Sequence, residues 1–187
     1  MGMSAPPAPK GFYWRPLQAG DAALLTPHWQ QLDRTQAGAP GWRSWNPALL
    51  DVHKGSFHPD LLQIAGLFAA DGTLVACVAE TVSLDNGQMS EINFSVLPAW
   101  RGKGFSALCL RTGLALAKAR GSRSVRTECG GESTAALAAL VKFGATPTRA
   151  AEGTDCWRAT LPLSPAAAGT LALKRLWRRL TRPLRDR

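Results

Sequence analysis

The chain has no apolar run long enough to cross a membrane as a helix, which takes about 18 residues. Its start, residues 1–10, is rich in proline and alanine and lacks the hydrophobic core of a signal peptide. Cysteine is sparse and scattered. Cys77, Cys109, Cys129 and Cys156 stand 32, 20 and 27 residues apart, with no Cys-x-x-Cys pair and no histidine at ligand spacing. That spacing argues against a zinc site and a disulfide scaffold, and fits reduced core thiols in a soluble, cytoplasmic protein. Acids are scarce too, 13 against 22 Lys and Arg. The imbalance is local: residues 166–187 hold Lys174, Arg175, Arg178, Arg179, Arg182, Arg185 and Arg187 against Asp186 alone, +6 of the formal +9. The remainder is only mildly basic, so a general nucleic-acid-binding surface is not required. Tyrosine occurs once, at Tyr13, and histidine only at His28, His53 and His58. No Gly-x-x-x-x-Gly-Lys-Ser/Thr run occurs, which excludes a P-loop, and there is no internal repeat.

What is present suffices for one domain with a sizeable core: 187 residues, 45% of them hydrophobic. Residues 91–121 organise it. Ile92, Phe94 and Val96 alternate with Glu91, Asn93 and Ser95, the period of a strand with one polar face. Pro98 removes a backbone donor and ends the pairing. Arg101-Gly102-Lys103-Gly104 makes a glycine turn. Leu108, Leu110, Leu114 and Leu116 then run at helical spacing to Gly121, a natural C-cap. A helix that begins on glycines gathers free N–H groups and the positive end of its dipole at one spot, which suits a phosphate.

The rest is read around that stretch. Residues 1–10 are expected to be disordered, 11–16 a first strand, and 18–35 a helix carrying Leu24, Leu25, Trp29 and Leu32. Residues 42–60 read as irregular, with Trp42, Trp45, His53 and His58 and a short helix over 47–52. The tryptophans suit either a core or the wall of an acceptor pocket. Residues 61–70, 73–84 and 88–97 form an antiparallel meander turning at Asp71-Gly72 and Asn86-Gly87. A strand over 122–129, an alanine-rich helix over 130–143 capped by Gly144, and two strands in 145–163 around Glu152-Gly153 complete the domain. The expected fold is α+β: one domain over 11–163, a mostly antiparallel mixed sheet with a central strand–helix–strand crossover, then a basic extension over 164–187.

Two glycine-loop readings compete. Gly102-x-Gly104-x-x-Ala107 has the letters of a dinucleotide fingerprint, with Glu128 near the place of a ribose ligand. In that fold, however, the first glycine follows the strand directly, and here Pro98-Ala99-Trp100-Arg101 intervene. Too few residues follow Glu128 to complete a doubly wound sheet. Arg101-Gly102-Lys103-Gly104-Phe105-Ser106 instead resembles the pyrophosphate loop of the GNAT acetyltransferase superfamily, Gln/Arg-x-x-Gly-x-Gly/Ala, with Ser106 in place of the last small residue. A basic surface turn is the plainer reading of the same six residues.

The resemblance implies an acyl-CoA site, with acetyl-CoA as the donor. Backbone amides of Gly102, Lys103, Gly104, Phe105 and Ser106 would hold the pyrophosphate, with Arg101 in the same cofactor set. The preceding strand would splay from its neighbour and pair its backbone at Val96 and Leu97 with the pantetheine arm, an N–H there polarising the thioester. The setting Ser-Glu-Ile-Asn-Phe is similar to the strand that carries the base in the histone-acetyltransferase branch, which makes Glu91 the candidate base; Glu80 and Glu128 are alternatives, as is a merely solvated carboxylate. The family pattern Asn-x-x-Ala-x-x-x-Tyr before a Gly-Phe, aligned on Gly144, places Ser133 at the Asn, Ala136 at the Ala and Leu140 at the Tyr. Ser133 joins the cofactor set, and the family's tyrosine acid is missing. Either the thiolate leaves unassisted or Cys129, Ser133 or Tyr13 serves.

In the tail, Leu173, Leu176, Trp177, Leu180 and Leu184 fall on one helical face and basic residues on the other, until Pro183 limits the helix. Such a segment suits a peripheral membrane surface, the protein's own sheet, a protein partner or, less well, nucleic acid. The expectation is an acyl-CoA-dependent N-acyltransferase acting on a small-molecule or protein amine. The alternative is a catalytically weak adaptor of the same fold that binds a membrane or partner through residues 166–187.

Overall fold

The computed structural model describes residues 6–32, 61–82, 88–130, 138, 140–150 and 156–163. The expectations for 42–60, for the turns at Asn86-Gly87 and Glu152-Gly153, for most of the 130–143 helix and for the tail lie outside the described residues. The strands are β1 (Phe12–Pro16), β2 (Leu62–Ala69), β3 (Leu74–Val82), β4 (Met89–Val96), β5 (Ser124–Gly130), β6 (Thr146–Arg149) and β7 (Cys156–Pro162). They form one sheet in the order β1-β2-β3-β4-β5-β7-β6. Among the described residues the α-helices with both ends in view are α1 (Ala22–Gln30) and α2 (Phe105–Arg120), and residues 138 and 140–142 are helical too. Every neighbouring pair of strands is antiparallel except β4–β5, which is parallel. A parallel neighbour needs a crossover, and α2 supplies it. The expected mixed sheet with its central strand–helix–strand unit is therefore the fold observed.

Local chemistry explains the element ends. The β2–β3 turn has Gly72 at φ +86°, and Asp71 Oδ1 accepts from the Thr73 N–H at 2.9 Å. Gly121 ends α2 at φ +97°, its N–H shared between the Ala117 and Lys118 carbonyls. The first helix is shorter than the 18–35 expected. A 3-10 turn over Ala19–Asp21 precedes it, and Asp21, rather than capping it, accepts from Arg15 at 2.8 and 3.0 Å.

The two sheet faces carry different helices. Alternate residues of β3 and β4, among them Val78, Ile92 and Val96, pack with Cys109, Leu110 and Leu114 of α2. Ile64, Phe68, Cys77 and Ala79 pack on the opposite face with Leu25 and Trp29 of α1. Helix α2 lies close because it has glycine where it crosses β4. A Cβ at Gly113 would stand 2.7 Å from Ile92 Cγ2 and 3.0 Å from Val78 Cγ2. That close fit sets the start of α2 beside the end of β4.

Candidate active site

Strands β4 and β5 pair only at Met89–Ser124, Ser90–Val125 and Glu91–Arg126. Beyond Glu91 the described part of the ladder stops, although both strands continue, and a wedge opens toward the glycine loop. Backbone parity says which residues face it. The Leu97 N–H donates to the Val75 carbonyl at 3.0 Å, and the Ser124 N–H donates to the Gln88 carbonyl at 3.3 Å. With the β3–β4 register, odd residues of β4 bond toward β3 and even ones toward β5. Phe94 and Val96 therefore turn their backbone groups into the wedge. This corrects the expectation for Leu97, whose amide is spent on β3, and adds Phe94. Sequence reasoning missed Phe94 because parity follows only from knowing the neighbour.

The loop below the wedge is built on an aromatic base. A 3-10 turn over Pro98–Trp100 leads in, its bonds running from the Trp100 N–H to Leu97 and from the Arg101 N–H to Pro98. Phe105 is buried, its ring 5.1 Å from Phe12 and 5.9 Å from Trp100, and Lys103 Nζ lies 4.5 Å above the Trp100 ring. Arg101 reaches back to donate from Nε to the Val96 carbonyl at 3.3 Å, so the loop and the wedge are joined. Gly102 and Gly104 stand at φ +73° and +83°, the left-handed region that glycine alone enters freely. A Cβ on either would meet nothing within 4 Å. The glycines are needed for their angles, and the space beside them is open. Gly104 caps α2 without a side-chain bond, and the first helical bond is Leu108 N–H to Gly104 at 3.1 Å. The N–H groups of Phe105, Ser106 and Ala107 thus have no acceptor within the helix and point to one place, the arrangement an anion takes.

On the face of β4 away from α2, Glu91 accepts from Arg126 at 3.1 Å through Oε2 and from Asn93 Nδ2 at 3.1 Å through Oε1. It is the last paired residue before the wedge. The other carboxylates are placed differently. Glu80 is fully buried on the α2 side, bound by Arg120 at 2.7 Å and by the Ser90 hydroxyl. Glu128 faces the same side as Glu91, paired with Arg158 at 2.6 Å. Tyr13 lies on β1, three strands from β4, which removes it as an acid at the wedge. Leu140 is buried in the core. Ser133 and the Cys129 side chain lie outside the described residues.

A buried network beside the wedge has no counterpart in the sequence reading. His28 of α1 is 2% exposed, its Nδ1 2.9 Å from the Leu74 carbonyl and its Nε2 2.8 Å from Ser95 Oγ. A carbonyl only accepts, so Nδ1 carries the proton and Nε2 accepts from Ser95. Ser95 in turn accepts from the Cys77 thiol at 3.2 Å. Burial pushes the His28 imidazolium below its usual range, the bond to Leu74 opposing in part, and raises the Cys77 thiol to about 12. The neutral ring ties α1 to the strand that borders the wedge. Because folded His28 resists a proton that the unfolded chain accepts from about pH 6.5 downward, acidification through that range favours unfolding. Urea midpoints should fall from pH 7.5 to 5.5, and His28→Gln should flatten that slope.

No curated protein sequence matches the chain. The GNAT domain of PAT from S. lividans superposes with TM-score 0.66 at 21% identity, covering 80% of this chain and 89% of that one. Spermidine N-acetyltransferase from Vibrio cholerae, solved with CoA and spermine, gives 0.65 at 16% identity, covering 82% and 96%. Salmonella typhimurium yncA, solved with acetyl-CoA, gives 0.64 at 17% identity, covering 85% and 98%. At these identities the likeness is one of fold. The family model for the acetyltransferase (GNAT) family matches residues 27–145, more than half of the sequence, and the chain therefore belongs to the GNAT acetyltransferase family.

Proposed function

We propose that this acetyltransferase moves the acetyl group of acetyl-CoA to an amine by direct attack. The single observation that carries the reading is the open start of α2, with its amides unbonded, set at the foot of the wedge between β4 and β5. Acetyl-CoA supplies the acyl thioester. The amides of Gly102 to Ser106, with Lys103 and Arg101 beside them, hold its diphosphate; Val96 and Phe94 pair with the pantetheine arm as an added strand. The thioester then lies nearer the vertex than Val96 does. The amine nitrogen attacks the thioester carbonyl, the C–N bond forms, the C–S bond breaks, and the sulfur leaves as thiolate to be protonated to free CoA. Glu91 takes the proton from the nitrogen. It is the last paired residue at the vertex, three residues along the strand from Phe94, and takes that proton directly or through one water. With Leu140 buried and Tyr13 remote, the thiolate leaves without a tyrosine. The buried free thiols Cys77 and Cys109 suit a reducing compartment and support a cytoplasmic enzyme.

The test is calorimetric titration with acetyl-CoA together with CoA release over a panel of amines; an enzyme that binds no acetyl-CoA defeats the reading. Glu91→Gln should lower kcat about tenfold to a hundredfold at pH 7. The deficit should shrink as pH rises, because the acceptor then arrives already deprotonated. A profile that overlays wild type at every pH assigns the base elsewhere.

A further inference from the structure

Resting on the acetyl-transfer reading and deepening it, we infer that the acceptor is an amine bearing a carboxylate a few bonds away, as in an α-amino acid, rather than a polyamine. Register places Glu91, Arg126, Glu128 and Arg158 on one face of β4, β5 and β7. Glu91 lies opposite Arg126 and Glu128 opposite Arg158, with Arg126 and Glu128 two residues apart on β5. The opposite face holds Val125, Ala159 and Leu161 in the α2 core. The four charges alternate in sign across the sheet, beginning at the vertex of the wedge.

In each pair the guanidinium is the more exposed member: side-chain exposure is 29% for Arg126 against 24% for Glu91, and 39% for Arg158 against 17% for Glu128. An approaching molecule meets positive charge first. A polycation would have to displace both arginines to reach carboxylates they already neutralise, against like-charge repulsion. A zwitterion fits without that conflict. Its ammonium replaces Arg126 as the partner of Glu91, and its carboxylate replaces Glu91 as the partner of Arg126. Glu91 engages the Arg126 guanidinium through one terminal nitrogen at 3.1 Å, and the Nε–H is buried with no acceptor among the described residues. Guanidinium binds carboxylate as a two-pronged fork, so an acceptor carboxylate can complete what Glu91 alone does not. After the ammonium gives its proton to Glu91, the same nitrogen attacks the thioester carbon, and CoA leaves as above.

The full-length protein with acetyl-CoA would be assayed for CoA release against the common L-amino acids, the same amines lacking the carboxylate, and spermidine. At least one amino acid should exceed its carboxylate-free counterpart in kcat/KM by about a hundredfold, since a site built for a polar group rejects the analogue lacking it. Arg126→Gln should shrink that ratio to about tenfold or less, chiefly through the amino acid's KM, and Arg126→Lys should fall between, keeping the charge without the fork. The inference is overturned if spermidine or a plain amine is the best acceptor, or if no amino acid is acetylated while acetyl-CoA still binds. It is also overturned if Arg126→Gln weakens every acceptor in equal proportion, which would make Arg126 only the holder of Glu91. Absence of acetyl-CoA binding by calorimetry overturns the acetyl-transfer reading itself, and this inference with it.

Discussion

Gly104→Glu is expected to abolish measurable CoA binding, a loss of about a thousandfold or more, or about 4 kcal/mol, while the protein stays folded. Two properties of the position separate these outcomes. Its φ of +83° is unfavourable for any residue with a Cβ, at roughly 1–2 kcal/mol. Nothing else stands in the way, since a Cβ there meets no atom within 4 Å. A carboxylate at the start of α2 even complements the helix dipole, so folding tolerates the change. The same carboxylate occupies the open space in front of the Phe105, Ser106 and Ala107 amides, where a diphosphate needs those donors and the absence of another anion. Gly104→Ala carries the backbone strain without the charge and should lose affinity only modestly. Titration with CoA and circular dichroism on both variants decide the matter. Unchanged affinity in Gly104→Glu would take the diphosphate away from this loop.

Much of the fold and of the loop is legible in the sequence, for physical reasons that can be named. The meander was readable because β4 alternates strictly and Asp71-Gly72 is a turn that few conformations satisfy. The loop was readable because two glycines after a proline-terminated strand and before a leucine-spaced helix leave little choice of geometry. What stayed hidden depends on neighbours distant in the chain. Glu80 and Glu91 are both strand carboxylates, and nothing local says that one lies under the end of α2 and the other at a wedge. Val96 and Leu97 could not be told apart until β3 claimed one of the two amides. Arg126 gave no signal of its own, for its importance comes from being the last residue paired with Glu91. His28 stands 67 residues before Ser95 in the chain, and α1 delivers it there. Local pattern gives elements and turns; partners across a sheet come from register, and register is a property of the whole sheet.

Glu80→Ala is expected to destabilise the fold by about 3–5 kcal/mol, a large share of what a domain this size has. The cost comes from what is left behind. Glu80 is fully buried and Arg120 nearly so, with side-chain exposures of 0% and 12%. Arg120 binds it through Nε at 2.9 Å and the terminal nitrogen at 2.7 Å. Removing the acid takes from the mostly buried guanidinium the carboxylate that it grips through Nε and a terminal nitrogen. It also frees the Ser90 hydroxyl, which donates to Glu80 while accepting from Ser122 at 2.6 Å. These four side chains join β3, β4, the last turn of α2 and the approach to β5, at the opposite end of α2 from the glycine loop. Replacing both ions by apolar residues of similar size, Glu80→Leu with Arg120→Met, should recover most of the stability, because a buried pair costs nearly as much to desolvate as it returns. Urea denaturation of the two single variants and the double variant at pH 7 makes the comparison. If Glu80→Ala unfolds within about 1 kcal/mol of wild type, the pair is not what fastens α2 to the sheet. In that case Gly113 and the apolar contacts around it carry that role alone.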